Sequence, residues 1–108
     1  MIDKKIIYII MYLIMEVFFK PPFRRFVKKQ TRPLQLVIED EVEKITKNPD
    51  IGRSKKGDLS EFQVHKFTFK KQELLIAYRV IEADILFYMI GPHENFYREV
   101  KRYLKEVE

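Results

Sequence analysis

Apolar positions change their period along the chain, and each change marks an element. The stretch MEVFFKPPF reads as a strand ended by Pro21 and Pro22, since proline has no amide for a sheet ladder. Over PPFRRFVKKQ, Phe23, Phe26 and Val27 recur at helical spacing with arginines and lysines opposite, which predicts a short helix. TRPLQLVIEDEVEKITKNPDIG then sets Leu34, Ile38, Val42 and Ile45 at steps of four, four and three. Pro33 is tolerated in a first turn and Asn48 with Pro49 closes the last, so a longer helix follows and the two form a hairpin.

Beyond residue 60 the helical period gives way to runs rich in aromatic and β-branched residues. EFQVHKFTF, ELLIAYRVI and DILFYMI are strand candidates, and the links KKQ and EA are short enough for an antiparallel meander. FYREVKRYLKEV returns to one apolar stripe through Phe96, Val100, Tyr103 or Leu104, and Val107. The order strand, helix, helix, three strands, helix predicts an α+β domain with helices packed on a small antiparallel sheet. Only GRSKKGDLS, between hairpin and sheet, reads as a strong loop, and it carries Arg53, Lys55 and Lys56.

The first residues stand apart from this pattern. A basic start followed by IIYIIMYLIM imitates an export signal, but no small-residue cleavage site follows. The apolar run from Ile6 to Phe19 contains Glu16 and falls short of the about 20 residues that a bilayer span needs. A buried strand, a core helix, or an extension ahead of an internal start at Met15 remain. The last is preferred, because the pattern is complete without residues 1–14; residues 15–108 then form a single domain.

Composition narrows the chemistry. At 108 residues, 46% apolar and 34% charged, with eight glycines and prolines together, the chain predicts one globular core. The absence of cysteine removes disulfide frameworks, cysteine-based zinc sites and thiol nucleophiles, and fits a cytoplasmic location. A formal charge of +5 favours an anionic partner. No spaced cluster of ligands suggests a metal, and no cofactor is expected.

In this order the elements resemble the RelE/ParE superfamily of toxins from type II toxin–antitoxin modules, from about Met15 to the end. The residues that carry the resemblance are the opening strand, the hairpin ending in NPDIG, the basic loop KKGDLSEF, the strands VHKFTF and LLIAYRV, and GPHENFYREV before the last helix. The resemblance implies a small toxin held inactive by a cognate antitoxin encoded beside it, with no membrane partner. Some members cut messenger RNA on the ribosome, whereas others poison DNA gyrase without nuclease activity. An inactive nucleic-acid-binding relative is a third possibility.

Metal-independent RNA cleavage needs a base for the 2′-hydroxyl, an acid for the departing 5′-oxygen, and cations around the phosphate. Histidine suits either proton role, because its ordinary pKa of about 6.5 lies near working pH. The resemblance puts His65 at the family's general-base position on VHKFTF, and His93, two residues past Gly91, at the second catalytic position. Tyr97 follows His93 at i+4, placed to stack on a base or donate to phosphate. Many nuclease members carry an arginine at the position of Leu75, which leaves Arg79 or Lys56 to supply the cation. Arg53, Lys55, Lys56 and Lys66 are the expected phosphate contacts. Each has a structural reading as well: a packed histidine, a helix-start histidine, a core tyrosine, a solvated basic face.

Overall fold

The computed structural model describes Lys5, Ile6 and residues 15–107. Its elements are β1 (Glu16–Phe19), α1 (Pro21–Lys28), α2 (Arg32–Lys47), β2 (Arg53–Ser54), β3 (Gln63–Phe69), β4 (Gln72–Ile81), β5 (Asp84–Pro92) and α3 (Phe96–Val107). Single 3₁₀ turns lie at Pro49–Ile51 and Gly57–Leu59. The strands form one sheet in the order β1-β5-β4-β3-β2. This is the α+β arrangement expected from the pattern, and no helix among the described residues is long and apolar enough to cross a membrane. The expectation about residues 1–14 lies outside the described residues, apart from Lys5 and Ile6.

Prolines place both arms of the hairpin. Lys20 is extended, as a residue before proline prefers, and Pro21 and Pro22 occupy the first turn of α1, where a missing amide removes no helical bond. At α2 the extended Thr31 takes the N-cap position, Arg32 begins the helix and Pro33 lies in its first turn. The Gln35 side chain donates to the Val27 carbonyl at 2.8 Å and ties the two helices together.

Two features of the sheet go beyond the predicted meander. β1 pairs parallel with β5, from Glu16 opposite Asp84 to Phe19 opposite Phe87. Within the expected loop, Arg53 and Ser54 form a short strand opposite Val64 and Gln63. That strand covers only the start of β3, so among the described residues no strand pairs with the outer edge of β3 from His65 onward.

Strand alternation builds two cores. Leu74, Ile76 and Tyr78 on β4 face the hairpin and pack with Phe23, Ile38 and Ile45. Leu75 and Ala77 face the other way and pack with Phe96 and Val100 of α3. Ile38 and Ile45 are 2% and 0% exposed, and burial of such a side chain stabilises by about 1.5–3 kcal/mol. Between β4 and β5 the register passes from Ala77 opposite Met89 to Tyr78 opposite Phe87, which leaves Tyr88 as an extra residue. This bulge resets the alternation: Tyr88 and Met89 both belong to the α3 side, and Ile90 returns to the hairpin side. The phase of the strand end that leads to His93 is set there.

Candidate active site

A cleft of about 450 Å³ opens at the uncovered edge of β3. Its walls carry His65, His93 and Tyr97 together with Arg53, Lys55 and Lys66, and also Ile51, Val64, Glu73 and Leu75. Three consecutive residues, Val64, His65 and Lys66, all line it. Because neighbours on a strand point to opposite faces, the cleft wraps round the strand edge rather than lying on one face.

Each wall comes from a different element. His65 shares the parity of buried Phe67, on the hairpin side, and its ring lies nearly parallel to the Phe67 ring at 6.4 Å with a 17° tilt. His65 Nε2 is 2.8 Å from Glu41 Oε2, with both side chains close to nine-tenths buried. Since a carboxylate oxygen can only accept, the imidazole donates from Nε2. The second oxygen of Glu41 accepts from Lys44 Nζ at 3.2 Å.

His93 is exposed just past the end of β5, and its carbonyl accepts from the Phe96 amide at 3.2 Å, which helps the chain turn into α3. Asn95 in that turn takes a left-handed φ of 63°, a conformation that asparagine tolerates better than most residues. The turn brings Tyr97 edge-on to His93, with ring centroids 6.1 Å apart. Lys55 Nζ sits 4.9 Å from the centre of the Tyr97 ring, within the range of a cation–π contact. Loop, helix and strand end are thus joined by side chains, and the cleft presents an aromatic ring with a cation over it.

The basic residues differ in how far they are committed elsewhere. Lys66 is 3.7 Å from Glu73, but both are well exposed and such a pair contributes about 0–1 kcal/mol, so an anionic ligand can compete for the lysine. Arg53 is exposed at the start of the loop wall.

Of the eight candidates, the cleft gathers six; Lys56 and Arg79 do not line it. Lys56 is exposed on the loop beyond Lys55. Arg79 lies four residues beyond Leu75 along β4, roughly 13 Å at about 3.3 Å per residue. Its guanidinium donates to the Tyr88 hydroxyl at 3.1 Å, pairs with Glu61, and stacks near the Phe62 and Tyr88 rings. Neither Arg79 nor Lys56, the two residues expected to supply the cation, lines the cleft with the histidines; Arg79 shares the parity of Leu75 but lies farther along the strand. Leu75 itself lines the cleft, buried, where many nuclease relatives are expected to carry an arginine.

Glu41 was not among the sequence candidates, although a signal for it exists. Leu34, Ile38, Glu41 and Ile45 recur at steps of four, three and four, and all four are buried on α2. A carboxylate on an apolar stripe demands a partner, because a buried charge without one is costly. Val42 had been placed on the stripe instead, and it is only partly buried.

Comparison with known proteins comes from sequence and from fold. The sequence model of the ParE-like toxin of type II bacterial toxin–antitoxin systems matches residues 17–101. No curated protein is significantly similar in sequence. A double arginine-to-alanine mutant of E. coli RelE in the free state superposes with a TM-score of 0.65 at 14% identity, over 86% of this chain and 97% of that one. The intact E. coli RelBE toxin–antitoxin complex contains a chain matching with a TM-score of 0.58 at 14% identity, over 73% of this chain and 96% of that one. The isolated E. coli RelE toxin gives 0.56 at 15% identity, over 82% and 97%.

Proposed function

Starting from the fact that this chain belongs to the ParE-like toxin family of type II bacterial toxin–antitoxin systems, we propose that it is a ribosome-dependent mRNA endonuclease that halts translation in the cytoplasm. The observation that carries this reading is the convergence of His65, His93 and Tyr97 with Arg53, Lys55 and Lys66 on one cleft. A surface that only has to bind a protein needs no pair of imidazoles. A single-stranded message threading along a strand edge meets proton-transfer groups, a stacking ring and phosphate contacts in one place.

In this reaction His65 accepts the proton of the 2′-hydroxyl, and the freed oxygen attacks the adjacent phosphorus. The bond from phosphorus to the 5′-oxygen breaks as His93 returns a proton to that oxygen. Lys55 and Lys66 balance the charge that grows on the phosphate oxygens, and Tyr97 holds a neighbouring base by stacking. The ribosome supplies the message in an extended form. The E. coli RelBE complex joins a toxin of this fold to its antitoxin. By the same logic a cognate antitoxin covers the basic cleft and α3 here, where Arg98, Lys101, Arg102 and Lys105 line an open concavity.

A second reading, inhibition of DNA gyrase without cleavage, draws on Leu75, which presents an apolar side chain to the cleft where a nuclease gains from a cation. The two readings separate in a cell-free translation reaction. For the nuclease, His65→Gln and His93→Gln each lower message cleavage by roughly 10²–10⁴, the usual worth of a general acid or base, with the fold intact. If translation stops equally well with wild type and both variants, the nuclease reading is wrong.

A further inference from the structure

The pairing of His65 with Glu41 carries a consequence for which nitrogen does the chemistry. Glu41 is 9% exposed on the inner face of α2, and its two oxygens have different partners: Lys44 Nζ at one, His65 Nε2 at the other. Burying a carboxylate has a desolvation penalty that an apolar residue on the same stripe would avoid. Its geometry gives something an apolar residue cannot.

We propose that Glu41 is a positioning residue that holds His65 in the Nε2–H tautomer, so that Nδ1 is the nitrogen that takes the 2′-hydroxyl proton. The proposal rests on the nuclease reading. The proton moves from O2′ to Nδ1, and the electron pair left on O2′ forms the new bond to phosphorus while the bond to O5′ breaks and His93 protonates O5′. Nε2 keeps its proton throughout, and its hydrogen bond to Glu41 shortens as the ring becomes an imidazolium. The carboxylate faces that charge from the buried side. The Phe67 ring lies nearly parallel to the imidazole on the same face of β3.

Replacing Glu41 by Gln preserves shape but changes what His65 can do. Lys44 can only donate, so it favours the amide oxygen on its own side and turns the amide NH₂ towards His65 Nε2. Nε2 must then accept, the ring proton moves to Nδ1, and the base is lost. An amide in place of such a carboxylate lowers the rate by up to about 10⁴ in the serine-protease triad. Here a fall of at least about tenfold in the cleavage step is expected, within the 10²–10⁴ that the base as a whole contributes. Glu41→Asp, which keeps the charge, should recover part of it.

Two measurements on the full chain decide the matter. Long-range ¹H–¹⁵N NMR of histidine-labelled protein, assigned with His93→Gln, should show His65 protonated at Nε2 in wild type and shifted towards Nδ1 in Glu41→Gln. Single-turnover cleavage of ribosome-bound message should fall in Glu41→Gln and partly return in Glu41→Asp, with unchanged melting temperatures. An Nδ1-protonated His65 in wild type overturns the proposal, and so does a Glu41→Gln variant that cuts at the wild-type rate. A wild-type chain that makes no cuts removes the nuclease reading and the positioning role with it. Unchanged cutting by Glu41→Gln alongside loss in His65→Gln removes only the role of Glu41.

Discussion

Replacing Tyr78 by Phe should loosen the wall of the cleft from a distance. Tyr78 is 0% exposed in the middle of β4, and its hydroxyl reaches the connection between α2 and β2. It donates to the Pro49 carbonyl at 2.6 Å, lies 3.0 Å from Gln63 Oε1, and accepts from the Gly52 amide at 2.9 Å. Loss of the hydroxyl removes a donated bond, worth about 0.5–1.5 kcal/mol net, and leaves the Gly52 amide without its acceptor, at about 1–3 kcal/mol if that amide stays dry. A net loss of about 2 kcal/mol is expected. For a domain of this size that corresponds to a fall of roughly 8–15 °C in melting temperature, read by circular dichroism. The segment freed carries Ile51, Arg53 and Lys55, so RNA affinity should weaken although no residue in the cleft has changed. A melting temperature within about 2 °C of wild type would mean that the three contacts have no net value.

Further outcomes follow from the same geometry. Burial pushes the Tyr78 hydroxyl up to about 12 from the ordinary tyrosine value of about 10, so the neutral form is the folded form. A raised folded-state pKa contributes stability that is complete below about pH 10 and lost as pH rises through about 12; Tyr78→Phe should lack that part of the alkaline unfolding, measured as a difference from wild type. At Gly52, whose φ of −76° is ordinary, an added Cβ would sit 2.6 Å from the Tyr78 hydroxyl, so Gly52→Ala should destabilise through that contact. The double variant with Tyr78→Phe should then lose less than the sum of the two, by chemical denaturation. Lys70 and Lys71 form the two-residue β3–β4 turn with φ of 48° and 67°, so Asn-Gly in their place should raise stability by up to about 1 kcal/mol. Lys55→Gln should reduce the log–log salt slope of single-stranded RNA binding by about 0.7, whereas Lys56→Gln, outside the cleft, should change it less.

Much of this architecture was legible in the chain. Helical spacing of Phe23, Phe26 and Val27, and of Leu34, Ile38 and Ile45, marked both helices, and the aromatic runs after Glu61 marked three strands within a residue or two of their observed bounds. The pairing of β1 with β5 was not legible, because four residues of strand do not specify which edge they join. β2 was hidden for a similar reason: two polar residues, Arg53 and Ser54, have no apolar alternation to read.

Site residues divided along the same line. His65 and His93 are the only histidines in the chain, and with Tyr97 they could be proposed for the cleft from their chemistry and from resemblance to the superfamily. Arg79 and Glu41 depended on distances between elements. Parity along β4 gave the face of Arg79 but not its separation from the cleft, and only the contact between α2 and β3 shows that Glu41 has a histidine for a partner.

The central claim is that the cleft at the edge of β3 cuts message on the ribosome. Its most direct test is mapping of mRNA ends in a cell-free translation reaction given the wild-type chain, with His65→Gln and His93→Gln alongside. New 5′-hydroxyl ends are expected in translated message, absent when initiation is blocked and strongly reduced in both variants. Intact message in all three reactions, with gyrase supercoiling inhibited equally by wild type and variants, would contradict that claim.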